Sequence, residues 1–133
     1  VKAEWGEGKR ASWLTSYTVA CKDDGNFLEV GKVSTGLKEK PEEGDNASFE
    51  NMTNELKKLI LSEKGKEVTV KPQIIVEVSY EEIQKSPTYN SEYALRFPRI
   101  IRIRSDKDLS EIATIENIKY LFRGQKNNNE ITT

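Results

Sequence analysis

Histidine is absent from the 133 residues, which removes a Ser-His-Asp triad, a Cys-His pair and every histidine-based zinc site. Any catalytic chemistry must then come from lysine, arginine and carboxylates, and no metal site is expected. Cysteine is nearly absent too. The single Cys21 cannot form an internal disulfide, and its place in the apolar run from Trp13 suggests a small buried side chain. Nothing requires an oxidising compartment. Long apolar runs are missing and no signal-peptide pattern opens the chain, so no membrane partner and a cytoplasmic location are expected. The chain starts at Val1 with no initiator Met, as a piece excised from a longer protein would. With 32% charged and 35% apolar residues, the remainder suits one small hydrated domain with one core.

Charge, by contrast, is arranged. The net charge is only -1, yet between Ser91 and Lys107 five cations (Arg96, Arg99, Arg102, Arg104 and Lys107) face two acids, Glu92 and Asp106. Ile100, Ile101 and Ile103 are β-branched and favour a strand. In a regular strand Arg102 and Arg104 would share one face while Ile101 and Ile103 are buried on the other. Pro98 lacks a ladder donor and belongs at a strand start, an edge or a bulge, which sets Arg96 and Phe97 apart. An aromatic flanked by arginines at such a place fits a wedge against a nucleic-acid groove, with the arginines on phosphates. The same residues also fit Phe97 in a core beside a solvated basic face.

The rest of the chain reads as a frame. Gly6 and Gly8 suggest a bend, Trp13–Cys21 a strand, and Asp23-Asp24-Gly25-Asn26 a hairpin turn into a strand at Phe27–Val30. Residues 38–46 read as an acidic loop. Asp45 or Asn46 would cap a helix presenting Phe49, Met52, Leu56, Leu59 and Ile60 on one face, with Gly65 as its stop. Strands are expected at Glu67–Val70, Gln73–Tyr80 and Arg99–Arg104, and an irregular polar loop at Glu81–Glu92. A last helix starts at Asp108 or Ser110 and ends at Gly124, leaving 124–133 as a disordered polar tail behind a 1–123 domain. About five strands with an inserted helix and a C-terminal helix fit an OB-fold, a five-stranded Greek-key barrel that binds nucleic acid over one face.

Three segments carry a family resemblance. Tyr80-Glu81-Glu82-Ile83-Gln84-Lys85-Ser86-Pro87 is followed by Tyr93-Ala94-Leu95-Arg96-Phe97-Pro98-Arg99, then by Arg104-Ser105-Asp106-Lys107. Together they resemble the C-terminal part of ATP-dependent DNA ligases, especially the archaeal type, in which the last nucleotidyltransferase motif reads R-x-D-K after a strand beginning R-F-P-R. Gly6–Ala11 and Gly31–Gly36 are similar to two other segments of that family.

The resemblance implies that Arg104 and Lys107 orient the pyrophosphate released when a lysine of an adenylation domain in the same chain attacks ATP, with Asp106 holding their geometry. It implies that Arg96, Phe97 and Arg99, with Lys9 and Arg10, face nicked double-stranded DNA. ATP and Mg2+ would belong to the full-length enzyme and to no pocket of this domain. A sliding clamp would be met through other domains, and the setting would be the nucleoid, in replication, repair and recombination. Lys22-Asp23-Asp24-Gly25 matches K-x-D-G, the signature of the adenylated lysine, but a D-G turn between two strands already accounts for it. Two other functions stay open: a free-standing OB-fold module for single strands, which needs several exposed aromatics, and the equivalent domain of an mRNA-capping guanylyltransferase.

Overall fold

Nine strands and two helices are seen among the described residues of the computed structural model, 1–34 and 48–132; the side chains of Arg10 and of residues 126–132 are not described. The fold is mainly β. Strands β1 (Lys2–Trp5), β2 (Leu14–Asp23), β3 (Asn26–Val33), β4 (Ile60–Lys64) and β5 (Glu67–Val70) form one antiparallel sheet in the order β3-β2-β1-β5-β4. The pairing leaves this sheet open, with no closed barrel among the described residues, where the sequence suggested a partly open five-stranded Greek-key barrel. Two antiparallel ribbons accompany it: β6 (Val76–Ser79) with β9 (Arg99–Ile103), and β7 (Glu82–Lys85) with β8 (Tyr93–Arg96).

The β2–β3 hairpin forms where the sequence predicts it, with Asp23 paired to Asn26 and Asp24 in the left-handed region at φ 53. Strand β1 has no counterpart in the sequence reading, because four residues containing one fully buried side chain, Ala3, leave almost no alternation to detect. After β1 comes a single 3-10 turn, Gly8–Arg10, with Gly8 at φ 58, which supplies the predicted bend.

Helix α1 (Phe49–Lys57) buries Phe49, Met52 and Leu56 as expected but stops well short of Gly65. Its N-cap is Ser48, whose hydroxyl accepts the Asn51 N–H at 3.0 Å, while Asp45 and Asn46 lie outside the described residues. Leu59 and Ile60 continue the helical stripe in sequence, yet Ile60 opens β4. Gly65 instead turns the β4–β5 hairpin at φ 62. Such a turn needs a left-handed residue as much as a helix end does, so the glycine alone does not separate the two readings. Helix α1 is locked to β2 by Thr53, whose buried hydroxyl accepts the Leu14 N–H at 2.8 Å and donates to the Phe49 carbonyl at 2.7 Å.

Two apolar clusters hold the elements together. The larger joins the sheet, α1 and Ile100 of β9; the other gathers Cys21, Val30, Ile83, Tyr93, Ile115 and Ile118. Burial pushes the Cys21 thiol up, in keeping with a packing role. A cavity of about 360 Å³ remains between β2, the β6–β9 ribbon and residues 109–121.

The segment expected as an irregular loop, Glu81–Glu92, contains β7, which pairs with β8 from Glu82↔Arg96 to Lys85↔Tyr93. Helix α2 (Ile115–Thr132) begins later than Asp108 or Ser110 and is capped by Thr114, whose Oγ1 accepts the Asn117 N–H while Asn117 Oδ1 accepts the Thr114 N–H. It passes through Gly124. Gln125 grips β7 in the manner of a neighbouring strand, accepting the Ile83 N–H at 2.9 Å and donating to the Ile83 carbonyl at 2.6 Å, so the packed body reaches beyond residue 123.

Candidate functional site

Strand β9 carries a different chemistry at each end. At its start, Phe97 stands 60% exposed at φ 53, just after β8. A non-glycine residue in the left-handed region is strained, by about 1–2 kcal/mol. The Arg96 guanidinium lies 4.9 Å from the Phe97 ring centroid and donates to Glu82 Oε1 at 2.8 Å. That bond, followed by one from Gln84, holds the Glu82 carboxyl below its usual range. Arg99 is exposed and makes no ion pair among the described residues. Beside them opens a groove of about 660 Å³ lined by Lys32, Ser34, Tyr80, Phe97, Pro98 and Arg99, among others. The expectation of a core Phe97 is thereby excluded.

At the other end of β9 the chain leaves the ribbon through a turn in which the Lys107 N–H donates to the Arg104 carbonyl at 3.3 Å. The Arg104 N–H continues the ladder to the Ile75 carbonyl at 2.7 Å. Its guanidinium meets Asp106 through two parallel bonds, Nε to Oδ1 at 3.0 Å and Nη2 to Oδ2 at 2.9 Å. Nη1 donates to Glu77 Oε1 at 3.0 Å, and Arg102 Nε lies 3.6 Å from the same oxygen. The bidentate bond from Arg104 pulls the Asp106 carboxyl down to about 2 and, reciprocally, raises the guanidinium. Lys107 is exposed, its Nζ 3.7 Å from Glu111 Oε2.

The parity read from the sequence fails within this strand. Val78 faces Ile100 while Glu77 faces Arg102, so Ile101 is the extra residue of a bulge. Ile100 is therefore the fully buried isoleucine, Ile101 is 40% exposed and Ile103 packs partly on the main core. Arg102 and Arg104 do face the same side, where both meet Glu77.

Of the remaining predicted residues, Lys9 is exposed on the 3-10 turn after β1, on a different element from the Phe97 corner. Arg10 lies on the same turn, with its side chain outside the description. Lys22 is engaged elsewhere: its Nζ donates to the carbonyls of Leu109 and Ser110, both at 3.1 Å, as expected of a turn residue and not of a nucleophile. Sequence reasoning missed Glu77 and Glu82, the carboxylates that hold Arg104 and Arg96. Opposite charges across paired strands are the available signal, but using it requires the register, which the bulge and the unrecognised β7 conceal.

Comparison with known proteins follows this geometry. The ligase domain of LigD from M. tuberculosis superposes with a TM-score of 0.65 at 25% identity, covering 84% of this chain and 35% of that one. The mycobacterial DNA ligase D complexed with ATP and MES gives 0.58 at 22% identity over 85% and 36%. The fold is thus that of a DNA ligase segment. The family model described as "ATP dependent DNA ligase C terminal region" matches residues 10–107, and the chain belongs to that family. Its relatives include the DNA ligases of Nanoarchaeum equitans, 58% identical over 95% of this chain and 23% of that protein, and of Archaeoglobus fulgidus, 47% identical over 94% and 22%. The chain therefore spans less than a quarter of the length of these relatives.

Proposed function

We propose that this chain acts as the OB-type C-terminal domain of an ATP-dependent DNA ligase, presenting one end of β9 to nicked duplex DNA and the other to the pyrophosphate released during lysine adenylation. The observation that carries the reading is that the two groups flank β9: Arg96 and Phe97 precede it and Arg99 opens it, while Arg104 and Lys107 follow it, and a five-residue strand spans about 15 Å at about 3.3 Å per residue. One rigid element can then serve two steps if the domain turns between them. The OB-type reading is supported by the five-stranded antiparallel sheet and by Ile100, which joins the β6–β9 ribbon to the sheet core.

In the adenylation step, the lysine of a separate domain attacks the α-phosphate of ATP and pyrophosphate departs with growing charge. Arg104 offers a planar fork and Lys107 a mobile point charge to its oxygens, while Asp106 fixes the plane of the fork. ATP and Mg2+ belong in this reading to the full-length enzyme. In the DNA-bound arrangement the exposed Phe97 ring rests against the minor groove, and Arg96, Arg99, Lys9 and Arg10 meet phosphates. The nicked duplex, the adenylation domain of the same polypeptide and, through other domains, a sliding clamp are the partners of this reading.

A single-strand module is less well supported. Tyr93 is buried against Phe122 with ring centroids 5.3 Å apart, Tyr80 and Tyr89 are half-buried and the exposed Tyr120 stands on α2, so these tyrosines form no exposed row on the Phe97 strand among the described residues. The test is fluorescence anisotropy on a labelled nicked duplex. Affinity should fall steeply from low to moderate salt and drop further in an Arg96→Ala/Arg99→Ala double variant; salt-independent binding, or a preference for single strands, would refute the reading. The chain should also acquire no covalent AMP when incubated with labelled ATP.

A further inference from the structure

An arginine carries five N–H donors in one plane, and how those of Arg104 are divided is informative. Asp106, in the turn that follows β9, takes the side edge through Nε and Nη2. Glu77, on β6 across the ribbon, takes Nη1. Two carboxylates from separate elements thus fix the guanidinium plane, and one further N–H on each of Nη1 and Nη2 is left outside those three bonds. Arg102 Nε also lies 3.6 Å from that same Glu77 oxygen, so the Glu77 carboxylate is itself steered. Strand pairing does not require a carboxylate at this position: the β6–β9 ladder runs through backbone groups.

We propose that Glu77 is a positioning residue for the phosphate-binding fork of Arg104, working with Asp106 to aim the remaining donors at the departing pyrophosphate. This rests on the assignment of Arg104 to pyrophosphate made above. It leads to a sign that simple electrostatics does not. Removing a negative charge beside an anion site should strengthen anion binding by Coulomb attraction alone, whereas freeing the guanidinium to reorient should weaken it.

The experiment is calorimetric titration of the 133-residue chain with inorganic pyrophosphate, using wild type, Glu77→Ala, Glu77→Gln, Glu77→Asp and Arg104→Ala. Glu77→Ala is expected to weaken binding about fivefold, and Glu77→Gln, which keeps an acceptor oxygen, to stay within about twofold of wild type. Glu77→Asp keeps the charge but retracts the carboxylate by one methylene. It should also lose affinity, and it supplies the answer should the alanine variant not fold. The Arg104 Nε–H resonance, sharp in wild type and Glu77→Gln, should broaden in Glu77→Ala. Equal or tighter binding by both Glu77→Ala and Glu77→Asp, with Arg104→Ala still losing affinity, overturns the positioning role alone. If Arg104→Ala binds as wild type does, the pyrophosphate assignment falls, and the role of Glu77 falls with it.

Discussion

Asp106 and Phe97 make opposite kinds of prediction. The Asp106 carboxyl, drawn to about 2 by its bidentate bond from Arg104, favours the folded state above the ordinary carboxylate value near 3.8, and that contribution is lost as pH falls through about 2. An NMR titration of the carboxyl carbon should find its midpoint well below 3.8; a midpoint at 3.8 would mean the fork is not formed in solution. Phe97 is exposed and strained, so stability should tolerate its loss. Phe97→Gly removes the left-handed penalty of about 1–2 kcal/mol and should unfold at a urea midpoint no lower than wild type while its DNA affinity drops. A large loss of stability would mark Phe97 as a packing residue. The residue types at both ends of β9 were legible in the sequence, since arginines, an aromatic among them and a proline break are chemical signals that need no register, though the exposure of Phe97 was not. Glu77 and Glu82 were not, because a carboxylate acquires its partner only through strand pairing.

Between elements, polar side chains substitute for missing backbone partners, and this is where the sequence is hardest to read. Gln125 satisfies both main-chain groups of Ile83, a bond across 42 residues that no local pattern announces. Gln125→Ala should leave those groups without a protein partner and destabilise the chain by about 1–3 kcal/mol, measured by urea unfolding; an effect under about 0.3 kcal/mol would show that α2 is not docked there. Thr53→Val tests the α1–β2 lock in the same way, since it strands the buried Leu14 N–H. The strongly patterned elements were predictable for plain reasons: Asp24-Gly25 supplies the hairpin backbone between β2 and β3, and Phe49, Met52 and Leu56 repeat at helical spacing. Failures occurred where one signal has two structural meanings. Gly65 fits a helix end and a hairpin turn equally, and Ile60 continues the helical stripe yet belongs to a strand that pairs with Val70. The bulge at Ile101 exchanged two isoleucines between core and solvent, because a single inserted residue reverses a period-two pattern.

For the whole molecule, the arrangement is a small sheet-and-ribbon body on which β9 acts as a bar with a different group at each end. Its net charge is only -1, so the proposed attraction for DNA would come from where the cations sit and should be strongly screened by salt. The family membership rests on nearly the full packed body, whereas the division of labour along β9 rests on geometry and is open to direct test. The measurement that bears on it most directly is a chemical-shift titration of the labelled chain, first with a nicked duplex at low salt and then separately with pyrophosphate. Two distinct sets of shifts are predicted, one at Arg96, Phe97 and Arg99 with DNA, the other at Arg104 and Lys107 with pyrophosphate. Both ligands moving the same residues, or DNA shifts spread over Tyr80, Tyr89 and Tyr120 with single strands preferred to the nick, would contradict it.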